Sequence, residues 1–187
     1  MTLPHKIEIK GTTIERTPFS MTLSKDVIQI CLSKKSLVKV DLTSLHDCTQ
    51  LQRLHLDYNK LSSIDLSPLQ HCAQLQNLGL NSNQLVKLDL SPMQHCSQLQ
   101  ALFLDHNHLT ELDLTPLQNC PQLQFLFLSS NHLTEIDITP LQDCSQLRFF
   151  TFVNNDANFQ LFASKSLLSA PHLSNEIRFC LGQIKWK

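Results

Sequence analysis

Residues 51–74 read LQRLHLDYNKLSSIDLSPLQHCAQ, and residues 75–98 read LQNLGLNSNQLVKLDLSPMQHCSQ. Laid over each other, both segments carry leucine at the first, fourth, sixth and eleventh positions and asparagine at the ninth. The same spacing returns at Leu99, Leu102, Leu104, Asn107 and Leu109, then at Leu123, Leu126, Leu128, Asn131 and Leu133. It begins more loosely at Val27, where Lys35 stands in the asparagine place, and decays from Leu147, where Phe150, Phe152, Asn155 and Ala157 follow. A fixed period of 24 residues is the signature of a repeat architecture, and it has to be read before any local feature.

Each unit divides into two halves. The alternation Leu54, His55, Leu56 is strand-like, with apolar side chains on one face. An asparagine just after it has an amide able to bond free backbone groups, and so to stack into a ladder from unit to unit. In the second half, Ser67-Pro68, Ser91-Pro92, Thr115-Pro116 and Thr139-Pro140 place a hydroxyl residue, read as an N-cap, before a proline at the first helical position. Only a short helical turn fits before the next strand. One unit supplies eight inward positions: Leu51, Leu54, Leu56, Leu61, Ile64, Leu66, Leu69 and Cys72. Stacked neighbours bury such a face as one continuous core, which a single unit cannot do.

This pattern resembles the leucine-rich repeat family, over about residues 27 to 157. The resemblance implies an α/β solenoid: a parallel β-sheet lines the concave side, with short helices or turns on the convex side. It also implies a non-enzymatic scaffold that binds another protein, with no cofactor.

Composition agrees with one globular unit. The chain has 187 residues, 42% hydrophobic and 17% charged, with a formal net charge of -1. Disorder needs lower hydrophobicity or more charge. Its 36 leucines are the excess that the repeat explains. Near-neutrality argues against nucleic acid as partner. Gly11, Gly79 and Gly182 are too scattered to cradle a phosphate. No apolar run reaches the roughly 18 residues that span a bilayer. Residues 1–187 read as a single leucine-rich repeat domain, with an N-terminal cap over 1–26, repeats over 27–157 and a C-terminal cap over 158–187. Ile7 to Lys10 and Thr12 to Arg16 are expected to pair as a hairpin around Gly11, while Phe159, Leu161, Phe162, Leu167, Leu168, Phe179 and Leu181 are expected to cover the far end of the core.

Cys48, Cys72, Cys96, Cys120 and Cys144 recur at the repeat period, as one structural slot filled by a small, buriable side chain. An odd total of seven cysteines argues against a disulfide framework and for a reducing compartment. Met1 to Lys10 show no basic stretch followed by an apolar core of a secretion signal. The expectation is a cytoplasmic monomer.

Parallel strands about 4.8 Å apart turn equal repeat positions into rows across the concave face. The third-position row reads Gln29, Arg53, Asn77, Ala101, Phe125, Phe149 and the fifth Cys31, His55, Gly79, Phe103, Phe127, Thr151. The seventh reads Ser33, Asp57, Asn81, Asp105, Ser129, Val153 and the eighth Lys34, Tyr58, Ser82, His106, Ser130, Asn154. Four outward phenylalanines, each of about 150 to 250 Å², make a patch of the size that marks a binding site. The expected partner-binding residues are Arg53, His55, Asp57, Tyr58, Phe103, Asp105, Phe125, Phe127 and Phe149.

Other chemistries were weighed on the same rows. Cys31, His55 and Asp57 are the parts of a cysteine nucleophile, but an open sheet offers no water-excluded pocket and no oxyanion donor, so no enzyme is expected. His71 with His95, and His108 with His132, share rows, yet a structural zinc wants four ligands, and no metal is expected. The aspartate row Asp41, Asp65, Asp89, Asp113 and Asp137 reads as a solvated or cap-assisting row rather than a calcium site. Carbohydrate recognition lacks aromatic platforms apart from Tyr58, and nucleic acid would meet only Arg53 and Lys34 as basic residues on the concave face.

Overall fold

The computed structural model describes residues 6–165 and 184–186. Short strands recur once per repeat: β3 (Gln29–Cys31), β5 (Arg53–His55), β6 (Asn77–Gly79), β7 (Ala101–Phe103), β8 (Phe125–Phe127) and β10 (Phe149–Thr151). They pair in parallel in the order β10-β8-β7-β6-β5-β3. The register places Leu54 beside Leu78, Leu78 beside Leu102 and Leu102 beside Leu126, so each coil repeats its predecessor. The rows expected from the sequence are the rows observed.

Backbone groups that the short strands leave free are taken up by the asparagines. Asn107 Oδ1 accepts from Leu85 N–H at 3.1 Å, while its Nδ2 donates to Leu80 O at 3.0 Å and Leu104 O at 3.1 Å. Asn59, Asn83 and Asn131 do the same, and all four are buried. The ladder runs on to Asn155, and at its start the N–H groups of Lys35 and Leu37 both donate to Asn59. The residue before each asparagine place pays no ladder bond with its side chain but bends the chain. Lys34, Tyr58, Ser82, His106, Ser130 and Asn154 all sit at φ between 55° and 59°. The left-handed region costs a non-glycine residue roughly 1–2 kcal/mol, and the ladder offsets it at the next position.

The convex half of each repeat is a single 3-10 turn, as in Ser67–His71, Ser91–His95, Thr115–Asn119 and Thr139–Asp143. The expected capping differs. No serine or threonine hydroxyl caps these turns. The aspartate two residues earlier does so instead: Ser67 N–H donates to Asp65 Oδ1, Ser91 N–H to Asp89 and Thr115 N–H to Asp113, each at 2.8 Å. In a turn this short the serine or threonine is itself the first residue with a free N–H, and an aspartate two places back reaches that group. The row Asp41, Asp65, Asp89, Asp113 and Asp137 is therefore a capping row.

The cysteine slot also has a geometry. Cys72 Sγ lies 3.5 Å from Leu45 O, Cys96 Sγ 3.6 Å from Leu69 O, and Cys120 Sγ 3.4 Å from Met93 O. Each thiol is small enough for the core and donates a weak bond to a carbonyl one coil back. The inward leucines are fully buried; Ile64 is half-buried and packs on the same core.

At the N-terminal end, β1 (Lys6–Thr13) pairs antiparallel with β2 (Pro18–Ser24) and with β4 (Leu37–Asp41). This corrects the hairpin expected around Gly11. Gly11 lies inside β1, where a Cβ would come within 2.5 Å of Lys39 O, so the glycine serves close approach to β4 rather than a turn. The turn falls at residues 14–17, with Arg16 at φ 61° and its N–H bonded to Thr13 O. Ile7 and Ile9 enter the core. At the other end β11 (Gln160–Ala163) pairs in parallel with β9 (Glu135–Asp137) and β12 (Ile184–Trp186). Leu161 is buried, and Phe152 stacks on Phe159 at 5.4 Å. Leu167, Leu168, Phe179 and Leu181 lie outside the described residues.

Two tests follow from the ladder and the thiols. Asn107→Ala strands one buried N–H and two carbonyls, and should lower the free energy of unfolding by about 2–4 kcal/mol in a urea titration. Burial pushes the thiol of Cys48 up to about 11 and those of Cys72, Cys96, Cys120 and Cys144 up to about 12. At about pH 8 these five should resist iodoacetamide in the folded chain and react once it is unfolded, while exposed Cys31 reacts in both states. Because the unfolded thiols ionise first, above their ordinary 9.0, stability should fall as the pH rises past that value.

Candidate functional site

The concave sheet presents its third, fifth and seventh repeat positions outward, because leucines at the fourth and sixth positions face the core. Phe103 and Phe127, neighbours in the fifth row, stack with centroids 5.3 Å apart and planes 6° from parallel. Phe125 and Phe149 in the third row stack at 5.4 Å and 5°, and Phe125 meets Phe127 at 6.4 Å. The four expected rings thus form one continuous group on β7, β8 and β10. Phe149 is 47% exposed, and Phe103, Phe125 and Phe127 are half-buried by their neighbours alone. Ring stacking of this kind adds about 0.5–1.5 kcal/mol per pair beyond the area buried.

The other expected residues sit on β5 and the bend after it. Arg53 and Tyr58 are exposed, and the Lys34 ammonium lies 5.2 Å over the Tyr58 ring. His55 Nδ1 is 3.5 Å from Asp57 Oδ2, and Ser33 Oγ donates to the same oxygen at 3.2 Å. Of the thiol, imidazole and carboxylate once considered as a nucleophile site, only the last two are joined. Cys31 is exposed beside His55 in the strand register. His108 Nδ1 and His132 Nε2 approach to 3.2 Å with stacked rings, whereas His71 lies edge-on to His46. Among the described residues no three His, Cys, Asp or Glu side chains gather as a metal site.

Two features of the seventh row are not legible in a list of residues. Asp57 leans over Gly79: a Cβ on that glycine would stand 2.5 Å from Oδ1 and 2.6 Å from Oδ2. Gly79 is therefore where a side chain had to be absent, and the gap in the row His55, Gly79, Phe103 was the available signal. Asp57 Oδ1 and Ser129 Oγ are buried without a hydrogen-bond partner. Asp105, half-buried in the same row, has its carboxyl raised above the usual carboxylate range by burial, and the charge of Asp57 pushes the same way. The His106 ring nitrogen Nε2 stands 3.9 Å from its Oδ2, and a hydrogen bond from its own backbone pulls the carboxyl the other way. Asp41 and Asp89, on the capping row, are instead held below that range by hydrogen bonds from Thr43 and Ser91.

The leucine-rich repeat family model matches residues 29–85, 73–133 and 97–156. The chain belongs to the leucine-rich repeat family. Among solved structures it is similar to an internalin (inlF) of Listeria monocytogenes, at 24% identity and a TM-score of 0.54, over 74% of this chain and 36% of that one. It is similar to a chain of the LRIM1/APL1C complex, at 22% identity and a TM-score of 0.63, over 75% and 25% of the two chains. A plant peptide hormone receptor, RGFR1 in complex with RGF2, aligns at 23% identity and a TM-score of 0.57, over 78% and 21%. The repeat chain thus spans about a third or less of the length of these structures, and the likeness is one of fold. Among curated proteins none matches it in sequence. The leucine-rich repeat fold commonly serves as a protein–protein interaction module.

A carboxyl raised in the folded state means that the fold loses stability as pH climbs from the unfolded value of 3.8 through the raised one. Asp105→Asn removes that loss. Relative to the wild type, the variant should gain stability as the pH rises from the unfolded value of 3.8, read as a widening gap between urea midpoints that levels off above the raised one. An unchanged gap would show that burial of Asp105 carries no cost.

Proposed function

We propose that this leucine-rich repeat chain is a non-enzymatic scaffold that binds another protein on its concave face. The observation that carries the reading is the stack of Phe103, Phe125, Phe127 and Phe149 on an otherwise polar sheet. Nothing in the solenoid's own packing requires phenylalanine there, since the leucines of the other face already fill the core. Water-exposed rings cost free energy that a partner recovers by covering them. A rigid sheet also spares the binding partner the entropy of ordering the surface. Arg53, His55, Asp57, Tyr58 and Asp105 form the polar side of the same face, which supplies the specificity of an interface whose centre is aromatic.

The same reading makes the chain a monomer in the cytoplasm before it meets its partner. The buried free thiols support a reducing compartment. Among the described residues no helix is long and apolar enough to cross a membrane. Nucleic acid is disfavoured by a net charge of -1.

The test is affinity capture from the source cell with the wild type and with Phe103→Glu/Phe127→Glu. The variant loses the Phe103–Phe127 and Phe125–Phe127 stacks, about 1–3 kcal/mol together, so capture is compared at a temperature where melting curves show both proteins folded. A protein captured by the wild type should be lost from the double variant. An unchanged captured set would overturn the aromatic face as the interface.

A further inference from the structure

The row beside the aromatic group is electrostatically unfinished. Asp57, Asn81, Asp105 and Ser129 occupy adjacent coils at the seventh position, about 4.8 Å apart from strand to strand. They flank His55, Gly79, Phe103 and Phe127 of the fifth position. At Gly79 the fifth row has no side chain, and the Asp57 carboxylate leans into that gap. Its Oδ2 is shared by Ser33 and His55, while Oδ1 has no donor. One coil beyond Asn81, Asp105 is half-buried, with a hydrogen bond from its own backbone and the His106 ring nitrogen Nε2 at 3.9 Å, outside hydrogen-bond range. In the next coil Ser129 Oγ is, with Asp57 Oδ1, the second buried polar atom left without a partner. A carboxylate withdrawn from water normally meets two or more donors, because an uncompensated charge is costly to bury. Here two carboxylates lie in one row two coils apart, both partly withdrawn from water, and one oxygen of Asp57 has no donor.

We propose that the concave face takes a partner segment bearing a lysine or arginine side chain, whose cationic head settles between Asp57 and Asp105 over Asn81 while the adjoining apolar side chains cover Phe103 and Phe127. This rests on the concave face being the interface, and it names the chemistry that the interface selects. A guanidinium or ammonium supplies the donors that the row lacks. Its single positive charge also lies between two like charges and offsets their repulsion, and it approaches Phe103 on the face that attracts cations. The missing side chain at Gly79 lets the Asp57 carboxylate lean across the sheet towards the Asn81 and Asp105 side of the row. An anionic segment would meet Asp57 and Asp105 directly and be repelled.

The experiment selects a phage-displayed library of random 12-residue peptides, about 40 Å when extended and so long enough to cross the six-stranded sheet, on the immobilised full chain. The binders are then synthesised. Peptides whose binding Phe127→Ala abolishes are expected to carry a lysine or arginine. Replacing that residue by citrulline or norleucine should weaken binding by about tenfold. Asp105→Asn should weaken the original peptide by a similar factor and leave the citrulline or norleucine version unaffected, which ties the cation to this carboxylate. The variant removes a poorly compensated charge, so its melting temperature should not fall. The peptide replacement tests the same contact without altering the protein at all.

Phe127-dependent peptides that lack a cation, are rich in aspartate or glutamate, or tolerate the replacement overturn this proposal and leave the concave interface standing. A selection that yields no binder dependent on Phe127 overturns both.

Discussion

Stacking parallel strands only three residues long leaves most of the backbone of each coil without a strand partner, and the buried asparagine resolves this. One amide closes the chain onto the coil before it and onto its own strand end. Everything else in the repeat is arranged around that reach. The left-handed bend at the preceding residue turns the asparagine inward, and the leucines on either side seal it from water. A buried amide without its three partners would cost more than the bend, so the motif is kept as a unit or lost as a unit. At the last repeat it is being lost: Asn155 still bonds, but it is only half-buried and phenylalanines replace the leucines around it.

A ladder of constant length fixes the strand register, and a fixed register turns repeat positions into rows. This is how a chain with few glycines acquires an ordered surface from a strict 24-residue period. Each row can vary freely in chemistry because the backbone beneath it is already satisfied. The concave face uses that freedom in two ways. It stacks aromatic rings over β7, β8 and β10, and it lines up carboxylates and a serine whose hydrogen-bonding capacity is not met. Elsewhere the molecule satisfies its polar groups economically, down to thiols that reach a carbonyl one coil back. Local exceptions in an otherwise consistent structure are where binding sites are found.

The repeat, the inward leucines, the cysteine slot and the rows of the concave face were all legible in the residues. They depend on spacing alone, and spacing survives whatever the side chains do. The ends were read less well. Gly11 looks like a turn in sequence because glycine and turns so often go together, yet its lack of a side chain was needed for contact with Lys39, a residue 28 places away. The convex turns were placed correctly, but their caps were assigned to the serines and threonines. Which of two neighbouring polar residues meets the first free N–H depends on the turn being 3-10 and five residues long. The four phenylalanines were found as a group, and their order of stacking followed from the register.

Sequence by itself therefore determined the coil length, the core and the identity of every residue facing the concave side, because a strict period converts position along the chain into position in space. Tertiary structure alone decided how those facing residues share their charges. The pairing of Asp57 with His55 follows from their spacing on one strand face, but its lean over Gly79 depends on the adjacent coil leaving that space empty. Asp105 titrates high because neighbouring coils bury it, an effect of desolvation that no spacing rule contains. Covalent order sets which groups are neighbours, but the dielectric around a charge and the donors within its reach are properties of the folded surface.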